Sequence, residues 1–530
     1  MLRDLFAREA LAQIPKILTL GDRNPHSPTY GCFDRNFWHY KIIDFPSGMA
    51  QEFVLPLALA YETNLPDNPY YQQESIQEWV RAGILYAARS AHADGSCDDY
   101  FPFERAGGAA AFSLLAGLES YRRLKLEDDR MIRFFSQRAN WLAHHQESGQ
   151  LTNHQALIVL CLEILSRLVN SSDWDRAKVQ RLEKVLSWQN SEGWFQEYEG
   201  CDPGYHTLTI SCLAWIYEFN PDPRIQEALT KAVNLAAEFI HPDGSFGGEY
   251  TSRNTYNYFP DGFERVGSWL PIGLTVNDRF LQGLANGKAP CYADDHILGH
   301  HTWNYLLAWQ NSVGDRPSIP PRPNEQIWFK NAKILIDRRQ NTELYLALNK
   351  GGVFKLFRDG KLVASDTQFS LQVRQQGQIK NAVGHLVGDY SIEVEPNTIT
   401  LRGNLGWAKQ KQMTPLNLLI LRVVMLTVGR FFPNLIRTLL QKMLIVGKTA
   451  APFRFVRRLH WFNGEWIVSD TLQADDWNNV ITAGIGADQT SIYVVMSRTF
   501  QAGQLQPWLD LSDKVRQLEP DQFLKLERKF

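Results

Sequence analysis

Four glycine-bearing turns recur at a nearly constant spacing in the first half of the chain, and this repeat restricts the possible folds more than any other feature. The turns begin at Asp94, Glu147, Glu192 and Asp243, which lie 53, 45 and 51 residues apart. Before each turn the apolar residues recur at helical spacing beside a polar face, and after it an extended piece leads into a more apolar helical pattern. A period of about 50 residues made of two helices predicts stacked helical hairpins.

Hairpins of this kind stack into an open solenoid or close into an α/α toroid, whose inner helices surround a central cavity. The extended pieces between outer and inner helices are rich in glycine and aromatic residues, which favours the toroid because such pieces would form its rim. We therefore predict an α/α toroid, with the catalytic site, over residues 1–312. Residues 313–326 are rich in proline and are predicted to form a linker.

The hydrophobic period changes to two residues in the region 327–530, which predicts short strands. Residues 343–348 and 390–394 show this alternation, and glycine, proline or asparagine turn signals stand at 350–352, 359–360, 396–397 and 463–464. Strands separated by such signals are typical of an antiparallel β-sandwich. The predicted fold class is therefore α+β and multidomain, with a sandwich that buttresses the toroid.

One segment of this second region departs from the strand pattern. No Asp or Glu occurs between Pro396 and Gly464, and two apolar stretches that carry Arg or Lys, separated by Pro433, lie at about 409–452. We predict an inserted apolar helical hairpin that suits an anionic membrane surface. The alternative is a hairpin packed on the sandwich, with its basic residues in solvent or facing an acidic glycan. Because the start of the chain has no apolar signal segment, we expect a cytoplasmic location, peripheral on the inner membrane face if the hairpin touches lipid.

The first turn of each predicted inner helix carries polar groups that suit a ligand site. Helix starts present unpaired N–H groups and partial positive charge, so they favour anionic ligands. Equivalent positions of consecutive hairpins lie side by side in a toroid, so we expect these starts to converge on one cavity. The candidates are Glu104, Arg105, Asn153, His154, Tyr205, His206, Arg253 and one or more of Tyr250, Tyr256 and Tyr258, with Trp194 as a further substrate-binding side chain.

Several other functions are excluded by charge and by missing motifs. A net charge of −2 gives no reason to expect a nucleic-acid partner. The sequence has no serine nucleophile elbow, P-loop, dinucleotide fingerprint or HExxH metal motif. A glycoside hydrolase would use paired carboxylates, but Glu197, Glu199, Asp98 and Asp99 do not recur at equivalent positions of the repeat. We expect neither a metal nor a cofactor.

Asn, His, Tyr and Arg side chains together suit the removal of a proton beside a carboxylate. Asn153, with Arg105 or Arg253, would neutralise the carboxylate as it becomes an enediolate. A histidine or an ionised tyrosine would accept the proton, and a protonated tyrosine would deliver one to the leaving glycosidic oxygen. A tyrosine base needs cationic or donor neighbours, because the ordinary pKa of tyrosine is about 10.

At these residues the sequence resembles the heparinase II/III-type polysaccharide lyases. The resemblance is carried by 153–154, by 205–206 after the turn at 192–194, by the turn at 243–245 with the tyrosines after it, and by 458–470. It implies an α/α toroid followed by a β-sandwich, and β-elimination on uronic-acid polysaccharides. It also assigns carboxylate neutralisation to Asn153 and proton transfer to His206 and a tyrosine, of which Tyr256 is preferred over Tyr250 and Tyr258. His154 would orient the substrate.

The resulting prediction is a polysaccharide lyase-type enzyme that abstracts the C5 proton of a uronic acid. Its substrate would be an acidic polysaccharide or a lipid-linked glycan. One alternative is a uronate C5-epimerase of the same toroid type in polysaccharide biosynthesis, which returns the proton from the other face. A second alternative is a non-catalytic glycan-binding protein of an exopolysaccharide assembly system.

Overall fold

The structure is a computed structural model that describes residues 2–147, 149–290, 298–408, 413–444, 448–487 and 499–530, without the side chains of 441–444. Parts of the predicted insert, 409–412 and 445–447, therefore lie outside the described residues. The first part of the chain is helical. Its helices are α1 (Asp4–Leu11), α2 (Ile14–Leu20), α3 (Arg35–Trp38), α4 (Val54–Glu62), α5 (Glu74–Ser90), α6 (Gly107–Arg123), α7 (Asp129–His144), α8 (Thr152–Val169), α9 (Asp175–Ser187), α10 (Pro203–Phe219), α11 (Pro223–Phe239), α12 (Asp261–Val266), α13 (Ile272–Ala285) and α14 (Leu298–Gln310).

The helices form a closed double ring, which confirms the predicted α/α toroid. The inner helices α4, α6, α8, α10, α12 and α14 contact one another in that order, and α14 contacts α4 again. The outer helices α5, α7, α9, α11 and α13 also contact their neighbours in sequence, and α1 packs on α13 and α14. Closure of the inner ring turns the starts of α6, α8 and α10 towards one rim.

Inner and outer helices differ in hydrophobic pattern because they differ in burial. Nearly all residues of α6, α8 and α10 are buried. The outer helices α7 and α11 bury only one stripe of apolar residues and keep a polar face towards solvent. This contrast is the physical origin of the alternating pattern from which the repeat was recognised.

The recurring glycines occupy turns that no other residue fits well. Gly95 and Gly193 have φ angles of +86° and +101°. A Cβ atom on Gly95 would lie 2.6 Å from the backbone nitrogen of Arg138 in α7, and one on Gly193 would lie 2.6 Å from the carbonyl oxygen of Lys231 in α11. Each turn therefore packs directly on the backbone of the following outer helix, so the spacing of the glycines follows the spacing of the hairpins.

The second part of the chain is an antiparallel β-sandwich, as predicted. The strands are β3 (Glu325–Phe329), β4 (Ile334–Arg339), β5 (Thr342–Ala347), β6 (Val353–Arg358), β7 (Lys361–Asp366), β8 (Phe369–Gln375), β9 (Gln378–Val383), β10 (Ser391–Glu395), β11 (Thr398–Trp407), β12 (Ala450–Phe462), β13 (Glu465–Ala474), β14 (Val480–Ile485), β15 (Leu509–Asp510) and β16 (Leu524–Lys529), with a short helix α17 (Ser512–Arg516). Among the described residues one sheet has the order β3-β4-β5-β6-β7 and the other the order β15-β14-β8-β9-β11-β12-β13-β16, with β10 paired to β11. A short hairpin of β1 (Gln196–Glu197) and β2 (Gly200–Cys201) belongs to the toroid rim.

A helical hairpin is inserted between β11 and β12, also as predicted. It consists of α15 (Pro415–Val424), a single π-helical turn (Met425–Gly429) and α16 (Pro433–Leu444). No helix within the described residues is both long and apolar enough to cross a bilayer.

The five-stranded sheet packs directly on the toroid. Its residues Ile336, Tyr345 and Phe357 belong to the same apolar core as the inner helices. Polar contacts reinforce this junction: Lys350, in the turn between β5 and β6, donates to the carbonyl oxygens of Glu249 and Thr251 at 2.6 and 2.9 Å. The sandwich therefore holds the rim segment that follows the fourth turn.

Candidate active site

The buried carboxylate of Glu197 joins the start of an inner helix to the rim segment after the fourth turn. Its Oε1 atom accepts hydrogen bonds from the backbone N–H and the Nδ2 group of Asn153 at 3.2 and 2.7 Å. Its Oε2 atom accepts one from Nη1 of Arg253 at 2.8 Å. These three residues, together with Tyr198 and Tyr205, are called the Glu197 cluster below.

Local structure explains how two members of this cluster reach each other. Asn153 lies in the first turn of α8, where backbone N–H groups have no partner within the helix, so Glu197 satisfies one of them. Glu197 stands at the end of β1 directly before a tight turn, in which Glu199 and Gly200 have φ angles of +58° and +125°. This turn aims the Glu197 carboxylate back at the start of α8.

Arg253 places its guanidinium against two tyrosine rings. Its central carbon lies 4.0 Å from the ring centre of Tyr205 and 5.3 Å from that of Tyr198. Its Nε atom lies 3.5 Å from the carboxylate of Asp202, whose other oxygen accepts from the backbone N–H of Gly204 at 3.0 Å and so caps α10. The cation is thus held between two carboxylates and the face of a phenol.

Burial controls the protonation of the cluster. It raises the pKa of Glu197 to about 7, although Arg253 and the hydrogen bond from Asn153 act in the opposite direction. Burial also raises the pKa of Asp202. For Arg253 burial acts to lower the pKa, but the neighbouring tyrosine and the two carboxylates raise it overall, so the guanidinium stays charged.

The amide of Asn153 keeps binding capacity in this arrangement. Its Oδ1 atom is buried and has no hydrogen-bond partner among the described residues. Glu197 engages one of the two Nδ2 hydrogens, and no other residue that the structure describes accepts the second, so it is available to a ligand. The side chain is fully buried, so its orientation is fixed before any ligand arrives.

A second group of charged residues lies beside the Glu197 cluster, at the loop before α8. The Glu147 carboxylate lies 2.7 Å from Nδ1 of His154 and 2.9 Å from Nη2 of Arg437, which comes from α16 of the insert. The three residues, with Glu104, are called the Glu147 group below. Arg437 also acts electrostatically on Glu104 and on Tyr198 of the Glu197 cluster.

The charges of this group depend on one another. Burial alone would raise the pKa of Glu147, but His154 and Arg437 hold it well below its ordinary value. Burial and the neighbouring Asp99 raise the pKa of Glu104 to about 7, with Arg437 opposing. Arg437 therefore keeps two toroid carboxylates closer to their ionised forms.

Two of the predicted catalytic residues make their polar contacts away from the Glu197 cluster. Nε2 of His206 lies 2.9 Å from the carbonyl oxygen of Ala232 in α11, and burial lowers the pKa of this histidine to about 4. The hydroxyl of Tyr256 lies 3.5 Å from Nζ of Lys355 in β6, and that ammonium pairs with Glu249 at 3.2 Å. His206 thus joins two helices of the toroid, and Tyr256 meets the sandwich.

The remaining predicted residues divide between the rim and the junction with the sandwich. Tyr250 lies 3.0 Å from Nε2 of His241, and the Tyr258 hydroxyl donates to Asn277 at 2.5 Å. Trp194 donates from Nε1 to Glu192 at 3.0 Å. Arg105 forms an ion pair with Asp94 in the first turn, on the side of the Glu147 group. The predicted residues that come together around Glu197 are therefore Asn153, Tyr205 and Arg253.

Two important residues were missed by sequence reasoning. Glu197 was considered only as half of a hydrolytic carboxylate pair, although its place directly after the third glycine turn and before a helix start marks it as a rim residue. Arg437 lies in the insert, 290 residues beyond Glu147, and no spacing or motif connects the two. Only the way in which the sandwich folds back on the toroid brings this arginine to the site.

Comparison with known proteins identifies the fold. No model of a known family and no curated protein matches the chain. Among solved structures, the Paenibacillus xanthan lyase is similar over 91% of this chain and 46% of its own, with a TM-score of 0.54 and 11% identity. The Streptomyces coelicolor A3 chondroitin AC lyase, in complex with chondroitin sulphate, is similar over 91% of this chain and 67% of its own, with a TM-score of 0.53 and 10% identity.

These similarities establish the fold and its class. The chain has the α/α toroid and β-sandwich of polysaccharide lyases, as the resemblance in sequence implied. The chain spans about half the length of the xanthan lyase that it matches. At this level of identity the likeness extends to the arrangement of the chain and not to the chemistry of its side chains.

Proposed function

We propose that the protein is a polysaccharide lyase-type enzyme that removes the C5 proton of a uronic acid in an acidic glycan and breaks the neighbouring glycosidic bond by β-elimination. The observation that carries this proposal is the position of the Arg253 guanidinium, 2.8 Å from the Glu197 carboxylate and 4.0 Å from the ring centre of Tyr205. This places a fixed cation, an amide at a helix start and a phenol in one buried cluster.

The first requirement of the reaction is to neutralise the uronate carboxylate. The C5 hydrogen becomes acidic only when the carboxylate can accept negative charge as an enediolate. The free Nδ2 hydrogen of Asn153 and the positive end of α8 both favour an anion at this point. Arg253 adds a positive charge that burial keeps from being screened by water.

The second requirement is a base that takes the C5 proton. We assign this role to Tyr205, because a phenolate is stabilised by a cation against its ring and Arg253 supplies one. The phenol formed by this transfer can then give its proton to the leaving glycosidic oxygen, so that one residue serves both steps. His206 is the less suitable base, because Nε2 is engaged by a backbone carbonyl and the ring is buried.

The partners proposed for the enzyme follow from the same chemistry. The substrate would be an acidic polysaccharide or a lipid-linked glycan that contains a uronic acid, and the chondroitin AC lyase with its bound chondroitin sulphate offers a precedent for such a ligand on this fold. The domain limits that belong to this proposal are 1–312 for the catalytic toroid, 313–326 for the linker and 327–530 for the sandwich. An anionic membrane surface is proposed as a second partner of the insert at about 409–452.

The test is an ultraviolet assay for the conjugated, unsaturated uronate product on a panel of uronate polymers. Wild-type protein should produce the signal, and Asn153→Ala and Tyr205→Phe should lower kcat/KM by about 10²–10⁴-fold. Tyr256→Phe tests the tyrosine preferred from the sequence. The control is Tyr30→Phe, at a half-buried tyrosine whose hydroxyl donates to Glu78 on the outer helix α5, and it should leave activity unchanged.

The alternatives give different results in the same assay. An epimerase would show no absorbance change but would incorporate solvent deuterium at C5, and this exchange should fail in Tyr205→Phe. A protein that shows neither signal on the panel, but binds a uronate polymer, would be the non-catalytic glycan-binding form. Loss of activity in Tyr256→Phe with full activity in Tyr205→Phe would contradict the assignment of the base.

A further inference from the structure

The inserted hairpin covers the rim of the toroid beside the Glu197 cluster. Nη2 of Arg437 lies 2.9 Å from the Glu147 carboxylate, and Nδ2 of Asn434 donates to the carbonyl oxygen of Gln146 at 3.2 Å. Both donors come from α16, whereas both acceptors belong to the loop that leads into α8. The hairpin thus reaches from the sandwich to the segment that carries Asn153.

The other arginines of the hairpin also face the toroid. Arg422 pairs with Asp44 at 3.1 Å, and its guanidinium lies over the ring of Phe45 at 5.3 Å. Arg430 lies over the ring of Phe103 at 5.4 Å. Arg422 and Arg437 therefore act inwards as attachments, which differs from the arrangement predicted from composition, in which the basic residues would meet lipid headgroups. Arg430 is exposed, and its guanidinium also lies 5.3 Å from the ring centre of Phe431 at the bend.

The outward face of the hairpin is apolar and uncovered. None of the ten residues of α15 is buried. The apolar side chains that are more than 40% exposed are Met413, Leu416, Leu418, Leu419, Ile420, Val423, Leu426, Val428, Phe431, Phe432, Leu435 and Leu439. A helix of this length is marginal in water by itself, so contacts outside the helix stabilise it. A continuous apolar surface of this kind marks a contact site.

A lipid bilayer is the occupant that best matches this face. The segment from Pro396 to Gly464 contains no acidic residue that anionic headgroups would repel. At the bend between the helices, Phe431 and Phe432 are 70% and 61% exposed and stand beside Arg430. Two short amphipathic helices with aliphatic and aromatic outward side chains and neighbouring cations are typical of segments that lie in a membrane interface.

The burial of the Glu197 cluster gives the membrane contact of the neighbouring hairpin a consequence. Asn153 and Glu197 are 0% and 1% exposed and Tyr205 is 8% exposed, so a polymer cannot reach them without a movement of the rim or of its cover. Among the described side chains, the polar attachment of α16 to the toroid consists of one ion pair and one hydrogen bond. A buried ion pair adds little net stability because desolvation offsets its attraction, so a competing apolar contact can release it.

We infer that the α15–α16 hairpin is a membrane-operated cover: its apolar face enters the interface of an anionic bilayer, Arg437 leaves Glu147, and the Glu197 cluster opens to the glycan. This inference relies on the proposed function only for the identity of the ligand, a glycan, that enters the opened Glu197 cluster. Membrane contact and access to the site would then be coupled, so that the enzyme opens where lipid-linked or membrane-proximal glycan is present.

The first experiment measures binding of the full-length protein to vesicles by flotation. Vesicles of phosphatidylcholine with phosphatidylglycerol should bind the wild type, and the double variant Phe431→Glu/Phe432→Glu should bind more than about tenfold more weakly, since two large apolar side chains lose their burial. The matched control Phe462→Glu/Leu505→Glu changes two exposed apolar residues outside the insert and should bind as the wild type does. Equal binding of both double variants would overturn the inference. The inference would also be overturned if the wild type is an oligomer that Phe431→Glu/Phe432→Glu dissociates and the control variant does not. The apolar face would then be covered by a second copy of the chain.

The second experiment measures access without using activity. Hydrogen exchange of residues 149–156 and 196–206 should become faster when anionic vesicles are added. Arg437→Gln and Glu147→Gln should each raise this exchange without vesicles, whereas Arg454→Gln, which removes an exposed ion pair of the sandwich, should not. Vesicle binding with unchanged exchange would overturn the coupling, even if uronate polymers are cleaved. Vesicle-dependent exchange in a protein with no activity on the panel would support the cover and contradict the proposed function.

Discussion

Replacing Glu197 by glutamine tests the electrostatics on which the candidate site depends. Burial raises the pKa of this carboxyl from its ordinary value of 4.5 to about 7 in the folded protein. Between pH 4.5 and about pH 7 the Glu197 carboxyl is therefore protonated in the folded state, whereas it is ionised in the unfolded chain. The stability that this proton gives is fully present below pH 4.5 and is lost as the pH rises through about 7, which amounts to about 3 kcal/mol.

Glutamine cannot ionise, so Glu197→Gln removes this pH dependence. The wild type should be the more stable protein near pH 5, because its neutral carboxyl keeps the contacts with Asn153 and Arg253. Its advantage over the variant should shrink by about 2–3 kcal/mol between about pH 5 and about pH 8. Urea unfolding followed by the helical circular-dichroism signal reports on the toroid, which contains most of the helices.

The control is Glu119→Gln in the same toroid. Burial acts to raise the pKa of Glu119, but Arg122 and Arg123 hold it below its ordinary value, so the carboxylate is ionised in both states across this pH range. The loss of stability in Glu119→Gln should therefore be the same near pH 5 and near pH 8. A difference between wild type and Glu197→Gln that stays constant, or that grows towards pH 8, would refute the assignment of Glu197 as a buried carboxyl with a raised pKa.

Two further predictions concern the sandwich and the start of α10. Arg457 is fully buried between two aspartates of the sandwich, so Arg457→Leu should cost about 3–5 kcal/mol in urea unfolding, while Arg454→Leu at an exposed pair should cost less than about 1 kcal/mol. Similar costs for the two variants would contradict a buried charge network. Gly204→Ala would place a Cβ atom 2.3 Å from Oγ1 of Thr255, so it should lower the free energy of unfolding by about 1–3 kcal/mol and lower the melting temperature. The control is Gly314→Ala, whose Cβ atom would meet no atom within 4 Å and which should leave stability unchanged.

The fold was largely predictable because its signals are local and repeated. The glycine turns at 95 and 193 have left-handed backbones that pack on outer helices, so their spacing records the hairpin length directly. The two-residue period and the turn residues Asp359, Gly360, Asn463 and Gly464 likewise specified hairpins, and all four have positive φ angles. The inserted hairpin was visible as a change of period within the sandwich.

The candidate site was predictable only in part. Asn153, Tyr205 and Arg253 were expected near one another because a toroid aligns the rim positions of successive hairpins, and contacts through Glu197 and the Arg253 guanidinium join them. The same rule also grouped His206 with them. One residue along a helix turns a side chain by about 100°, so a neighbour of a site residue can face a different helix, as His206 faces Ala232.

The sequence by itself determined the ring of hairpins, the sandwich, the inserted hairpin and the polar helix starts. Each of these features depends on patterns of residues that are close together in the chain. Only the tertiary structure decided which polar groups meet. Glu197 and Arg253 are 56 positions apart, and Glu147 and Arg437 are 290 apart, so no local pattern connects them. Their pairing, and the burial that raises the pKa of Glu197, arise from closure of the ring and from the sandwich packing against it.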